Sequence, residues 1–176
     1  DSDELDREGR LQVARFGNLT IANGYFPNGS GKNRDHSRIP YKFRFYEALF
    51  DKLEPQRASG ERVLVVGDYN TAPTEIDLAR PKSNRKTSGF THAECDHLHA
   101  ILNKGWTDVF RAQHPNETGH YSWWSNRPGV REKNVGWRID LTLASSGLLP
   151  DVESGFILPD VMGSDHCPIG VAIDAS

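Results

Sequence analysis

An α/β fold in one domain is what this sequence predicts, on three observations. Short β-branched and aromatic runs alternate with stretches of helical spacing. Several of the apolar runs end in Gly, Asp or Asn turns. At 176 residues, the chain is the size of one ordinary domain with a core of its own. In chain order, Leu11–Phe16 and Leu19–Tyr25 read as strands joined by the turn Gly17-Asn18. Tyr41, Phe45 and Leu49, with Phe43, Tyr46, Phe50 and Leu53, recur at helical spacing, and Pro40 suits a first turn. That aromatic stripe reads as core packing rather than a cofactor site. Residues 62–66 read as a buried β-branched strand. Thr91-His92-Ala93-Glu94 forms a capping box, with Phe90 as its apolar staple and Gly105 as the stop. Further strands are expected at 121–125, 138–144, 155–158 and Ile169–Ile173. The polar stretch 71–89 is too long for an idle connection and is expected to shape a surface. The core is expected from Phe43, Phe45, Val63 to Val66, Leu98, Ile101, Leu102, Ile139, Leu141, Leu143, Ile169 and Val171.

Composition narrows the function classes. The net charge of −3 excludes a wholly basic nucleic-acid binder, but the charges are not evenly spread. Arg80, Lys82, Arg85 and Lys86 crowd one loop, Lys32, Arg34 and Arg38 another, and Arg127, Arg131, Lys133 and Arg138 a third. Each cluster alone reads as a solvated surface; three of them beside chemistry-bearing segments suggest a polyanion track. No apolar run approaches the roughly 18 residues of a membrane span. Cys95 and Cys167 are too few for a disulfide scaffold, and no CxxC points to zinc, which suggests a reducing, cytoplasmic setting.

Two strand exits carry the chemistry. Val65-Val66-Gly67-Asp68-Tyr69-Asn70 places Asp68 and Asn70 two apart, on one side if the strand continues. Asp can take a proton from water or hold a hard cation, and Asn can orient a phosphate or complete an oxygen shell. The same Asp-x-Asn also forms turns. Gly163-Ser164-Asp165-His166-Cys167-Pro168 sets a carboxylate beside an imidazole. Asp140 could fix that imidazole's tautomer, or pair with Arg138. Tyr25, leaving a strand into a Pro turn, offers a phenol to phosphate or fills the core. Together the set suits metal-assisted phosphodiester hydrolysis.

NGYFPNG, GDYNTAPTEIDLARPKSNRKTSGFTHAE, KNVGWRIDLTLAS and GSDHCPI, in this order, resemble the successive motifs of the exonuclease III family of AP endonucleases. The resemblance implies the endonuclease/exonuclease/phosphatase fold, a four-layer α/β sandwich of two sheets flanked by helices. It also implies incision of DNA 5′ to abasic sites, 3′–5′ exonuclease or 3′-repair activity, and Mg²⁺ as cofactor, with Mn²⁺ as the alternative. Double-stranded DNA with abasic sites or 3′ ends is the implied partner, with no membrane. Carried over by motif, Tyr25 and Asn28 meet the phosphate, Asp68 prepares water, and Asn70 binds phosphate and metal. Asp140 orients His166, which stabilises phosphate charge, and Asp165 joins Asp68 and Asn70 as a metal ligand. Trp137 lines the pocket for the extrahelical sugar, although it reads equally as core, and Arg34 approaches the DNA. In a bacterium the resemblance implies a nucleoid-associated, cytoplasmic protein, and in a eukaryote a nuclear or mitochondrial one.

Family members carry about a further third of their domain ahead of the first motif, including an Asn and the principal metal-binding Glu. Glu4 and Glu8 sit in no such ligand motif. Residues 1–176 are therefore expected to be the C-terminal portion of a single domain, with weakened metal binding and an uncovered sheet that favours self-association. Two other functions compete: a non-catalytic nucleic-acid-binding or assembly fragment, and a phosphatase for small phosphoesters.

Overall fold

The side chains of Val63, Leu64, Val65 and Val66 alternate between two faces, and that alternation organises the molecule. In the computed structural model, which describes residues 3–174, Val63 and Val65 meet a helical layer, while Leu64 and Val66 meet a second sheet. The elements run α1 (Asp3–Asp6), β1 (Leu11–Phe16), β2 (Leu19–Tyr25), α2 (Ile39–Ala58), β3 (Arg62–Asp68) and α3 (Pro81–Asn84). They continue with α4 (His92–Leu102), β4 (Trp106–Asp108), α5 (Val109–Gln113), β5 (Asp140–Ser145), β6 (Val152–Ile157) and β7 (Ile169–Ile173). One sheet has the order β1-β2-β3-β5-β4, parallel between β2 and β3 and antiparallel elsewhere. β6 and β7 pair antiparallel as a second sheet.

Phe45, Tyr46, Leu49, Phe50 and Leu53 of α2, with Leu98 and Ile101 of α4, pack on Ala22, Val63, Val65, Leu141 and Leu143. Phe26 and Tyr69, just beyond the ends of β2 and β3, stack at 4.1 Å between centroids within the same cluster. Burying one such side chain contributes about 1.5–3 kcal/mol. On the other face, Ile21, Leu64, Val66 and Ala144 meet Val152, Val171 and Ile173 of the second sheet. The described residues thus form an α/β sandwich of helices, five-stranded sheet and two-stranded sheet.

The capping box at Thr91 forms as expected, and Phe90 and Cys95 share one buried cluster as a staple requires. Gly105 follows the helix at φ +106.

Three expectations need correction. Residues 121–125 make isolated bridges to Trp137 and His166 rather than a strand, because the Ser122 hydroxyl takes the Ile139 and Asp140 N–H groups in place of a ladder. Phe43 is only half-buried, stacked on His97, and Ile169 and Val171 are likewise half-buried. Lys42 is the buried member of that turn instead. Arg138 is no surface cation and no partner of Asp140. It is 1% exposed and clamps Asp108 with two nitrogens, at 3.1 and 2.8 Å, while its Nε meets Asp77 at 2.7 Å.

Candidate active site at three strand ends

Three of the residues singled out from sequence stand abreast. Tyr25 pairs with Asp68 in the β2–β3 register, and Asp68 pairs with Asp140 in the β3–β5 register. Parallel β2 and β3 end where antiparallel β5 begins, so one edge of the sheet collects all three. Gly67, at φ +139, makes the approach possible: a Cβ there would stand 1.9 Å from the Gly24 carbonyl oxygen.

Asp68 and Asn70 do meet, though not by strand alternation. β3 stops at Asp68, and Asn70 turns back at φ +48. Asp68 Oδ1 accepts the Asn70 backbone N–H at 2.8 Å, and Oδ2 accepts from its side-chain amide at 3.0 Å. Asn28 donates to Asn70 Oδ1 at 3.0 Å, extending the chain to Asn28, Asn70 and Asp68.

His166 Nδ1 lies 2.9 Å from Asp140 Oδ2, which leaves Nε2 as the ring nitrogen to meet a substrate oxygen. Trp123 Nε1 donates to Asp165 Oδ2 at 3.0 Å, and Trp124 N donates to the Asp165 carbonyl at 2.9 Å. These two contacts hold Asp165 by its carboxylate and by its backbone at once. The segment 121–124 therefore bridges the start of β5 to the Asp165-His166 pair.

One cleft of about 440 Å³ is lined by Tyr25, Asn28, Arg34, Asp68, Asn70, Trp137, Asp165 and His166, with Trp123, Ser88 and Gly89 also in its walls, whereas Asp140 is not among the lining residues. Trp123 and Trp137 meet edge to face at 6.3 Å, and Trp137 also packs against Phe90, so its half-buried ring both joins the core packing and lines the cleft. Tyr25 is 55% exposed rather than core, with the Arg10 guanidinium 4.6 Å from its ring. Trp123 and Ser88 escaped the sequence reading; the adjacent pair Trp123-Trp124 in a polar stretch was the signal available for the first.

Burial and the neighbouring Asp140 charge push the Asp68 carboxyl up to about 7. Burial alone would lower His166, but its bond to Asp140 and the charges of Asp140, Asp68 and Asp165 outweigh that and raise it. Three carboxylates thus crowd one imidazole, an arrangement that a cation relieves. Among the described residues no group of three or more His, Cys, Asp or Glu has the geometry of a metal cage. Asp68, Asp165 and Asn70 line the same cleft, and their oxygens are the hard donors that suit a cation keeping most of its waters.

The basic track is thinner than expected. Arg38 pairs with Glu8 and Arg85 with Glu75, while Arg131 donates to the carbonyls of Ser164, Pro159 and Val161. Lys32, Arg34, Arg80, Lys82, Lys86, Arg127 and Lys133 remain exposed.

Over 172 residues, 98% of this chain, the sequence is 40% identical to an exodeoxyribonuclease of Bacillus subtilis and spans 67% of that protein. It is 38% identical over 170 residues to a DNA-(apurinic or apyrimidinic site) endonuclease of Dictyostelium discoideum, covering 96% of this chain and 46% of that one. The solved structure of an AP endonuclease from Archaeoglobus fulgidus matches with a TM-score of 0.87 at 28% identity, over 99% of this chain and 68% of that one. The chain thus spans 46–67% of the length of these two curated relatives. With residues 1–166 matched by the family model as well, the chain belongs to the endonuclease/exonuclease/phosphatase family.

Proposed function

We propose that this cleft hydrolyses phosphodiester bonds in DNA, incising 5′ to abasic sites and acting on 3′ ends. The observation that carries the reading is the row Tyr25, Asp68, Asp140, with His166 bonded to Asp140 and two tryptophans walling the same cleft. A scissile phosphate fits between Tyr25, Asn70 and His166, where a phenol, an amide and an imidazole meet its oxygens. Asp68 orients a water and takes its proton as the water oxygen attacks phosphorus. The P–O3′ bond breaks, and the departing 3′ oxygen takes a proton from solvent. His166 and Asn70 stabilise the charge that builds on the phosphoryl oxygens, the Asn70 amide N–H turning from Asp68 Oδ2 to the phosphate. Asp140 holds the imidazole in place without touching the substrate.

Asp68, Asn70 and Asp165 would hold a divalent cation, Mg²⁺ or Mn²⁺. When bound it supplies charge neutralisation at the phosphate. Trp123 and Trp137 accept a flipped-out sugar that a normal base would overfill. The names of the relatives, an exodeoxyribonuclease and apurinic-site endonucleases, support the choice of DNA as substrate.

The experiment is an end-labelled duplex carrying one abasic analogue, compared with an undamaged duplex, in Mg²⁺. Strand scission on the 5′ side of the lesion, abolished by chelation, is the expected result. Cleavage with no preference for the abasic strand, or hydrolysis of small phosphoesters in its place, would overturn the reading.

A further inference from the structure

We propose that the buried Lys42–Glu94 pair positions the turn that presents Asn70, and through it Asn28, to the cleft; the inference rests on the catalytic reading above. Lys42 comes from the first turns of α2 and Glu94 from the first turn of α4, with side chains 1% and 0% exposed. Lys42 Nζ donates to Glu94 Oε1 at 2.7 Å and to the Asn70 carbonyl at 2.8 Å. Asn70 lies at φ +48, a conformation that a residue with a Cβ keeps only where its surroundings hold it. Five contacts hold it: Lys42 on the carbonyl, Asp68 Oδ1 on the backbone N–H, the Phe26 carbonyl and Asp68 Oδ2 on the side-chain amide N–H groups at 2.9 and 3.0 Å, and Asn28 on the amide oxygen.

Glu94 reaches the opposite lip of the same cleft. Its Oε2 accepts from Gly89 N at 2.8 Å, and its Oε1 from Ser88 Oγ at 3.1 Å. Gly89 sits at φ +91, and a Cβ there would stand 2.9 Å from the Asn70 carbonyl oxygen. The loop therefore closes on the turn only as glycine. One ion pair thus fixes both the Asn70 turn and the 88–89 loop. Stability alone is a poor account of it, because burying two charges costs solvation that their attraction roughly restores. What the pair adds is a charged donor with one permitted geometry.

The variant Lys42→Met/Glu94→Gln removes both charges together, leaves no orphaned ion and keeps an acceptor for Gly89. In the ¹⁵N-labelled chain without metal, the Asn70 and Asn28 side-chain amide resonances should shift and broaden, while the backbone amides of Leu141 and Leu143 stay in place. In abasic-duplex cleavage, kcat should fall about 10- to 100-fold, as when a partner that orients a site residue is lost, with KM little changed. In an Asn70→Ala background the same change should cost less than about threefold, since the group it acts through is gone. Unmoved asparagine resonances, or an equal loss in both backgrounds, would overturn the inference. If the double variant does not fold by circular dichroism, Glu94→Asp, which keeps both charges and shortens the carboxylate's reach, gives the same readings. The resonance measurement needs no turnover: a wild-type chain that leaves abasic DNA intact contradicts the catalytic reading, and unmoved amides contradict the positioning inference alone.

Discussion

Asp140 touches no reacting atom in this account, yet it governs two groups that do. It accepts from His166 on one side and stands opposite Asp68 in the sheet on the other. Asp140→Asn should leave the fold intact and lower kcat by about 10²-fold or more, because the amide no longer holds the imidazole's tautomer and charge. Single-turnover cleavage checks this, and a near-normal rate would remove Asp140 from the site. Gly67→Ala acts on the backbone instead: positive φ and a 1.9 Å approach to Gly24 together should cost about 3 kcal/mol or more, read from the urea midpoint. Asp68, Asn70, Asp140 and His166 were legible because each is a polar residue at the edge of an apolar run. Lys42 was not. Its burial depends on Glu94, 52 residues away, and helical spacing alone places a lysine beside Tyr41 on the surface.

Strands and helices with strong local patterns appeared where the sequence placed them, as β1, β2, α2 and the capped α4 show. The segment 121–125 did not become a strand, because its N–H groups go to carbonyls of 137 and 165 while its Ser122 hydroxyl takes the N–H groups of Ile139 and Asp140, contacts with no local signature. The network beneath it was equally hidden: Arg138 joins Asp77 and Asp108, and Arg111 meets Asp77 at 2.6 Å. Arg138→Met would leave two buried carboxylates short of their main counter-charge and should destabilise the chain by about 3–5 kcal/mol in chemical denaturation. Arg44→Met, which breaks an exposed pair with Glu4, should cost less than about 1 kcal/mol. Equal effects would mean that the buried network is no more than a surface ion pair in energetic terms.

For the whole molecule, two sets of ionisable groups pull stability in opposite directions with pH. Burial tends to raise Asp77 and Glu94, but Arg138 with Arg111 and Lys42 respectively outweigh it and hold both below the usual carboxylate range. Their contribution is present above the unfolded value near ~4 and is lost as pH falls through the folded values. Asp68, raised to about 7, and His166, also raised, contribute most at low pH and lose that contribution as pH climbs through their folded values. In metal-free buffer the urea midpoint should therefore peak near pH ~4–5, falling on both sides, and Asp68→Asn should flatten the upper arm. A midpoint that rises steadily from pH ~5 to ~8 would contradict these signs. The strands and helices were legible from alternation and helical spacing and their layering from the resemblance of the motifs, while the thinning of the basic track was not, since it depends on which arginines find carboxylates or carbonyls across loops. The most direct test of the central claim is the rate of abasic-duplex incision by Asp68→Asn and His166→Asn beside the wild-type chain in Mg²⁺. Losses of about 10²–10³-fold in each, with duplex binding retained, are expected for groups that act on the reacting phosphate; near-normal rates in both would contradict the account.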